Sequence, residues 1–216
     1  MKSWITTMAL IGFIATVGFA SADPAKVTDI VAKTPIPLTD KPAIKTAIFK
    51  KFQTSMLGSE KIGDAQSGWF CNPQSQYMIS QRFVEAVGRT LSRAFRAELT
   101  KAGYPKPPQT ESVFESAQKQ AADFDVGALL RNIRMNTCNR SGEILGGAYV
   151  EIKWELFSPR AQKVAFALTT EGSYQNSSAE KITVDELVER AMAAATRNLL
   201  ADPKFVELMT GTGEEL

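Results

Sequence analysis

The sequence predicts an α+β protein in which two main helices pack on one face of a mainly antiparallel sheet of about four strands, in the order β-α-β-β-β-α. Three observations support this prediction. One long segment has apolar residues at helical spacing, three consecutive segments have apolar residues at alternate positions, and a capping motif opens a second helical segment. We therefore assign residues 43–209 to a single α+β domain, with one disulfide between its two cysteines.

The first 22 residues have the three parts of a secretory signal peptide. Lys2 precedes an apolar run, and Ala20-Ser21-Ala22 supplies the small residues of a cleavage site. A membrane anchor is the alternative, but the run is shorter than the ~20 residues that span a bilayer and contains threonine and glycine. No cysteine lies at the expected cleavage point, which disfavours a lipid-anchored lipoprotein. We expect a cleaved leader, export to the periplasm and no transmembrane segment after cleavage.

The next segments lead from an extended leader to the first strand. Residues 23–42 carry four of the ten prolines and form an extended leader that is either poorly ordered or draped over the surface. In residues 43–57 apolar side chains alternate with lysines, which predicts a strand. Residues 58–68, rich in Gly, Ser, Asp and Gln, are predicted as a loop that ends at Trp69-Phe70-Cys71.

The long helical segment shows the clearest periodicity in the chain. Its apolar residues recur every three or four positions: Phe83, Val87, Leu91, Ala94, Phe95, Leu99 and Ala102. Gly103 and the prolines at 105, 107 and 108 then prevent the helix from continuing. A shorter helix is predicted over residues 112–122.

Three alternating segments follow, at residues 125–138, 147–157 and 162–174, joined by short polar connections. Short connections predict an antiparallel meander with one buried and one solvated face. Thr183 and Glu186 then form the pattern of a capping box, which predicts a helix to about Leu200. Asp202-Pro203 predicts a further short helix, and residues 210–216 are a polar tail.

Composition excludes several classes of function. The chain has 25 Lys and Arg against 23 Asp and Glu, so a general nucleic-acid-binding surface is not indicated. It has no histidine, which excludes Ser-His-Asp and Cys-His catalysis and His-ligated metal sites. We predict no catalytic residues, no metal and no cofactor, and hence a protein that is not an enzyme.

The two cysteines, Cys71 and Cys138, are predicted to pair. A redox-active dithiol would place them close together as C-x-x-C, and a zinc site would need more ligands. We expect Trp69 and Phe70 to bury this bond and Asn72-Pro73 to turn the chain into the long helix. By chain entropy the closed loop would stabilise the fold by about 4 kcal/mol.

Two groups of charged residues are candidates for functional sites. Arg82, Arg89, Arg93 and Arg96 fall near one line of the long helix and could bind an anionic partner. A solvated helix face is the alternative, with Glu85 four residues before Arg89 to pair with it. Glu151 and Glu155 lie on the solvent face of one predicted strand and indicate a charge ladder rather than a glycosidase pair.

Several quoted segments carry a family resemblance. In order these are GWFC, AELTKAGY, FDVGALLRNIRMNTC, AYVEIKWELF, VAFALTTEGSY and ATRNLLADPKFVEL. Their succession resembles the envelope domain of bacterial ABC-type transport auxiliary proteins. It is also similar to an uncharacterised periplasmic module found before trypsin-like protease domains. The first resemblance implies a partner of a lipid-trafficking system, usually lipid-anchored, although the anchoring cysteine is missing here; neither implies a catalytic residue.

The sequence therefore predicts a non-catalytic bacterial periplasmic protein that acts as a binding or assembly component of a cell-envelope complex. Its expected partner is another envelope protein, with anionic lipid as a second candidate. Two alternatives stay open at this point. A lipid or lipopolysaccharide carrier predicts an apolar cavity between sheet and helices, and a histidine-independent carboxylate hydrolase predicts two carboxylates facing each other in a pocket.

Overall fold

In the part of the chain that the computed structural model describes, six strands form one mixed sheet and three helices accompany it. This part comprises residues 30–36, 38, 44–106, 122–177 and 181–211. The strands are β1 (Ala47–Thr54), β2 (Lys61–Ser67), β3 (Asn72–Met78), β4 (Phe124–Arg140), β5 (Glu143–Ser158) and β6 (Lys163–Asn176). The helices are α1 (Gln81–Lys101), α2 (Val184–Leu200) and α3 (Pro203–Thr210). The predicted α+β class is confirmed.

The sheet has the order β3-β2-β4-β5-β6, and β1 also pairs with β4. Strands β4, β5 and β6 form the predicted antiparallel meander. However, β1 and β2 both run parallel to β4, one beside its first half and the other beside Thr137–Asn139. The prediction of about four mainly antiparallel strands is therefore only roughly right. Parallel pairing requires a crossover connection, and α1 lies in the connection that brings the chain back to β4.

Two strands occupy positions where the sequence predicted none. The predicted loop at residues 58–68 contains β2, and β3 follows a turn at residues 68–71. The prediction that Asn72-Pro73 turns the chain into the long helix is wrong, because both residues belong to β3. The helix begins only at Gln81, where Ser80 accepts a hydrogen bond from the Phe83 amide.

The helices follow their sequence signals closely. Helix α1 buries Val87, Leu91, Ala94, Phe95 and Leu99, as the periodicity predicted. Helix α2 opens with the predicted capping box, in which the Thr183 hydroxyl accepts from the Glu186 amide and the Glu186 carboxylate accepts from the Thr183 amide. Asp202 caps α3 with Pro203 in its first turn.

The core lies between one face of the sheet and the helices. On β5 the predicted apolar face is fully buried, namely Ala148, Val150, Ile152, Trp154 and Leu156. The Phe95 ring of α1 stacks on the Trp154 ring with centroids 5.7 Å apart. Thr170 of β6 accepts from the Trp154 indole at 2.7 Å and donates to the Ala195 carbonyl of α2 at 2.9 Å. Two consecutive buried hydrogen bonds thereby connect β5, β6 and α2.

Part of the leader is draped over the domain. The Ile30 amide donates to the Ser173 hydroxyl at 2.7 Å, and the Ile36 amide donates to the Leu200 carbonyl at 3.4 Å. The predicted signal peptide lies outside the described residues, as does all of the predicted helix at residues 112–122 except Ala122. Of the predicted tail, Thr210 is the last residue of α3. None of the described helices has the length and apolarity that crossing a membrane requires.

Candidate interaction site

The disulfide joins the turn between β2 and β3 to the end of β4. Cys71 and Cys138 are bonded, with their Cα atoms 5.4 Å apart, and both side chains are buried. The predicted pairing is confirmed. The bond does not lie at the entrance of α1, where a turn into the helix at Asn72-Pro73 would have placed it, because β3 intervenes. The register explains the location, since Gln66 of β2 lies beside Cys138 of β4. The bond fixes a hairpin to the sheet rather than a helix.

Trp69 and Phe70 form an exposed pair that we call the aromatic tip. Their side chains are 75% and 52% exposed, so the prediction that they bury the disulfide is wrong. The reason is the backbone of the turn. Gly68 and Cys71 have left-handed φ values of 78° and 49°, and the Cys71 amide donates to the Gly68 carbonyl at 3.1 Å. This tight turn buries the cysteine and leaves the two central residues more than half exposed. Trp154, by contrast, is a core residue as predicted.

The segment around the aromatic tip carries no charge. From Ala65 to Gln81 the sequence contains no Asp, Glu, Lys or Arg, although these residues make up 22% of the chain. We call residues 65–81 the uncharged hairpin. Most of β3 is exposed, so burial does not explain the absence of charged side chains. An exposed strand without charge is unusual, because charged side chains commonly protect sheet edges from pairing.

Strand β3 presents a free backbone edge within the described residues. The Ile79 amide donates to the Glu60 carbonyl at 2.9 Å, and the Ile79 carbonyl accepts from the Ser59 amide at 3.0 Å. Both polar groups of Ile79 therefore face the β2 side. Because these groups alternate along an antiparallel strand, those of Gln76 and Met78 point away from β2. The sheet order ends at β3, so no described strand pairs with this edge.

The uncharged hairpin has apolar side chains near both ends. The aromatic tip precedes β3, and Met78, which is partly exposed, ends it. Leu57 is 78% exposed and lies in the turn that leads to Glu60, which bonds to Ile79. Tyr77 is the exception to the exposure of β3, since its hydroxyl lies 2.7 Å from the Thr137 hydroxyl of β4. Tyr77 and the disulfide thus attach β3 to the sheet at two levels.

The four arginines of α1 are exposed, as predicted, but they do not form one free basic surface. Arg93 donates two hydrogen bonds to the Glu189 carboxylate of α2, at 3.2 and 2.9 Å. The Arg96 side chain donates to the Ser92 carbonyl at 3.3 Å. Glu85 accepts from Gln81 at 3.1 Å. Arg82 and Arg89 complete the exposed set, and binding of an anionic partner there stays a prediction.

A groove between α1 and α2 contains the most buried carboxylate of the helices. Glu98 lies 2.9 Å from the Lys101 ammonium and 3.3 Å from the Arg197 guanidinium, and its side chain is 5% exposed. Lys101 is largely exposed, so this cluster is only partly screened from water. The groove has a volume of about 510 Å³ on the side lined by Ile36 and about 470 Å³ on the side lined by Tyr174.

The carboxylates of this groove are each engaged with other groups. Glu98 pairs with two cations, Glu189 pairs with Arg93, and Glu186 belongs to the capping box of α2. On the outer face of the sheet, Glu151 lies 3.4 Å from Arg131 and Glu155 lies 2.7 Å from Lys153. Within the described residues no cluster of three or more acidic or sulfur ligands could hold a metal ion. This arrangement gives a carboxylate hydrolase no support.

The interface between sheet and helices leaves little room for a lipid. A Cβ atom on Gly172 would lie 2.3 Å from the Ala191 carbonyl oxygen and from the Ala195 amide of α2, so β6 and α2 are in direct backbone contact. A cavity bounded by Phe83, Met135 and Val188 holds about 40 Å³. That volume is about one water molecule, far below an acyl chain.

Comparison with known proteins finds solved structures of low similarity and shows no family. No family model matches the chain, and no curated protein matches it. A solved structure of a DUF330 protein from Xanthomonas campestris is 17% identical, covers 86% of this chain and 97% of its own, and has a TM-score of 0.43. A hypothetical protein from Chlamydia trachomatis is 11% identical over 78% of this chain and 97% of its own, with a TM-score of 0.41. The PelC dodecamer from Paraburkholderia phytofirmans is 10% identical, covers 73% of this chain and 92% of its own, and has a TM-score of 0.33. Similarity at this level assigns no function to the chain.

Proposed function

We propose that this protein is a non-catalytic, exported component of a bacterial cell-envelope complex that binds or assembles another envelope protein through the free edge of β3. The observation that carries the proposal is an exposed, uncharged strand edge whose outward backbone groups have no described partner strand. An extended segment that adds to such an edge gains main-chain hydrogen bonds, and neighbouring side chains give specificity.

The attachment of the hairpin supports this proposal. The disulfide and the Tyr77–Thr137 contact hold β3 in place before a partner arrives. Binding to an ordered strand costs less conformational entropy than binding to a strand that must first be ordered. A buried disulfide also fits an oxidising compartment, which is consistent with the proposed export to the periplasm.

The resemblance to transport auxiliary proteins favours a partner in a transport-associated complex as part of this proposal. The β3 edge does not depend on that assignment, because its geometry alone makes strand addition feasible. The lipid-carrier alternative predicts an apolar cavity between sheet and helices, and the cavity described there holds only about 40 Å³. The hydrolase alternative draws no support from the described carboxylates, which are paired with other groups.

Site-specific photocrosslinking in the native periplasm tests the proposal. A photoreactive residue at Gln76, on the outward side of β3, should form a discrete adduct with one other protein. The same residue at Thr169, an exposed position on the edge strand β6, is the matched control and should not form that adduct. Equal adducts at both positions, or recovery of the monomer alone from Gln76, would contradict the proposal.

A proline substitution adds a test of the backbone contact itself. Proline at position 76 removes an amide that faces away from β2, so the hairpin can keep its own pairing while the edge loses one donor. In this test the photoreactive residue is placed at Gln74 instead, so that position 76 can be substituted. Gln76→Pro should weaken the adduct formed from position 74, and Gln76→Ala should not. If Gln76→Ala abolishes the adduct to the same extent, the contact is made by side chains instead.

A further inference from the structure

The aromatic tip offers a second contact, distinct from the β3 edge. Trp69 is 75% exposed and Phe70 is 52% exposed, at adjacent positions in one turn. Beside them, a Cβ atom placed on Gly68 would meet no heavy atom within 4 Å, so the space next to the turn is open. Transfer of large exposed apolar side chains from water into a less polar phase is favourable in free energy.

The turn is held firmly to the sheet. Cys71 is bonded to Cys138, and the Gly68 amide donates to the Asn139 carbonyl of β4 at 2.9 Å. The Cys71 amide is satisfied within the turn by the Gly68 carbonyl. Insertion of the tip would therefore order little backbone and would leave this amide paired.

The chemistry of the tip fits a bilayer surface. An indole ring has an apolar body and one N–H donor, and such rings concentrate at the level of lipid headgroups. No charged residue occurs between Ala65 and Gln81, so the two inserting side chains and their neighbours in sequence carry no charge to desolvate. The Arg140 guanidinium lies at the base of the turn, 3.4 Å from the Cys71 sulfur. An exposed tip also needs no concave receptor when it enters a fluid interface, whereas a protein partner would need a matching pocket.

We propose that Trp69 and Phe70 insert into the interfacial region of a phospholipid bilayer, independently of the headgroup charge. The contact is weak and reversible, because two side chains bury less apolar surface than a single acyl chain, which itself gives only marginal anchoring. It therefore positions the protein at a membrane without anchoring it permanently.

The dependence of binding on headgroup charge distinguishes insertion of the aromatic tip from binding through the arginines of α1. Insertion of uncharged aromatic side chains should be nearly the same for neutral and anionic vesicles and should persist when salt screens charges. Binding through Arg82 and Arg89 would require anionic lipid and would fall as the Debye length shrinks from ~10 Å at about 0.1 M salt to ~3 Å at about 1 M.

Tryptophan fluorescence of the exported protein, after removal of the predicted signal peptide at residues 1–22, tests the proposal with vesicles of phosphatidylcholine, alone or mixed with phosphatidylglycerol. Trp69 and Trp154 remain in this protein, and subtraction of the Trp69→Phe spectrum isolates the signal of Trp69. We expect a blue shift of that signal with neutral vesicles and quenching by brominated lipid. Centrifugation with the vesicles then measures partitioning: Trp69→Ala should reduce it about tenfold, and Trp69→Ala with Phe70→Ala further.

The controls use exposed residues elsewhere. Leu57→Ala removes an apolar side chain that is 78% exposed, and Arg82→Ala with Arg89→Ala removes two exposed charges. Both should leave partitioning within about twofold of the wild type, and thermal melts should show that all variants fold. Partitioning that needs anionic lipid and disappears in high salt would overturn the proposal. Absence of vesicle binding would also overturn it. If, in that case, a photoreactive residue at Trp69 captured a protein, the tip would be a protein contact instead. Either outcome leaves the crosslinking test at Gln76 unaffected, so the two proposals can fail separately.

Discussion

Removal of the disulfide is the perturbation whose effect can be worked out most directly. The bond joins residues separated by 67 positions, and closure of a loop of that length stabilises the folded state by about 4 kcal/mol in the chain-entropy account. For a domain of this size each kcal/mol shifts the melting temperature by about 2–4 °C, so we expect a loss of roughly 10–15 °C. Alanine is the replacement of choice, because serine would bury two hydroxyl groups at positions that exclude water.

The assay compares the wild type and the Cys71→Ala, Cys138→Ala double variant by thermal unfolding, each with and without a reductant. The wild type should fall to about the melting temperature of the variant when reduced, and the variant should not respond to the reductant. Alkylation of the unreduced, denatured wild type should detect no free thiol. Trp69→Ala is the control for a change at the same turn that keeps the bond, and it should stay within about 0.5 kcal/mol of the wild type.

Hydrogen exchange shows where the stability is lost. The disulfide restrains the β2–β3 hairpin, so its removal should speed exchange of amides in residues 68–78 more than of those in α2. A double variant that melts within about 2 °C of the wild type would refute the loop-closure argument. Uniformly faster exchange across the domain would instead refute the assignment of the bond to the hairpin.

Three further predictions concern the core and the outer face. Gly172→Ala should destabilise the fold by about 3 kcal/mol or more in urea unfolding, since its Cβ would lie 2.3 Å from backbone atoms of α2. Gly88→Ala is the control and should destabilise much less, because its Cβ would meet only the Phe52 side chain, at 2.8 Å. Thr170→Val should cost about 2–3 kcal/mol because it removes the acceptor of the Trp154 indole, and Thr170→Ser should restore most of that loss. Burial, with Glu171 and Glu151 nearby, raises the pKa of Tyr149 from 10.0 to about 12. The fold therefore favours the neutral phenol, and the stability from this residue is present below pH 10 and lost as pH rises towards 12. Tyr149→Phe should reduce the fall in melting temperature over that interval, and an unchanged pH profile would contradict the assignment.

The elements predicted well from the sequence are those whose own residues specify them. Helix α1 has an apolar face five turns long and a stop at Gly103, and β5 alternates between buried and half-buried positions from Val150 to Ser158. The capping box of α2 is local by nature, since Thr183 and Glu186 satisfy each other's backbone amides. Such signals need no knowledge of distant residues.

Strands β2 and β3 could not be read in the same way. β2 contains a single fully buried side chain, Ile62, and β3 is almost entirely polar and exposed. β2 pairs in parallel with distant residues of β4, at Ala65–Ser67, and β3 is a strand because it forms a hairpin with β2. Tertiary pairing of this kind overrides local preference, and parallel partners separated by a long crossover leave no local sequence signal.

The candidate site shows the same division. Pairing of the cysteines followed from their number, whereas burial of Trp69 and Phe70 was inferred from residue type alone and was wrong. Exposure here depends on left-handed backbone at Gly68 and Cys71, which a cysteine seldom adopts and the sequence does not reveal. One signal was available: the absence of charge from Ala65 to Gln81 distinguishes this segment from the rest of the chain.

The two proposed contacts share one rigid hairpin, and this has an energetic consequence. If β3 binds an envelope protein that already resides at a membrane, the aromatic tip is held close to the bilayer, so its insertion becomes an intramolecular step. Effective concentrations in such tethered systems reach about the millimolar range. A membrane contact that is marginal alone therefore adds to the overall affinity for the membrane-resident partner. The converse also holds by linkage, since a bilayer that accepts the tip should strengthen binding at β3 by the same factor. Trp69→Ala should therefore weaken capture by the membrane-embedded partner but leave capture of the same partner in detergent unchanged. Equal loss in both settings would mean that the tip contacts the partner protein itself.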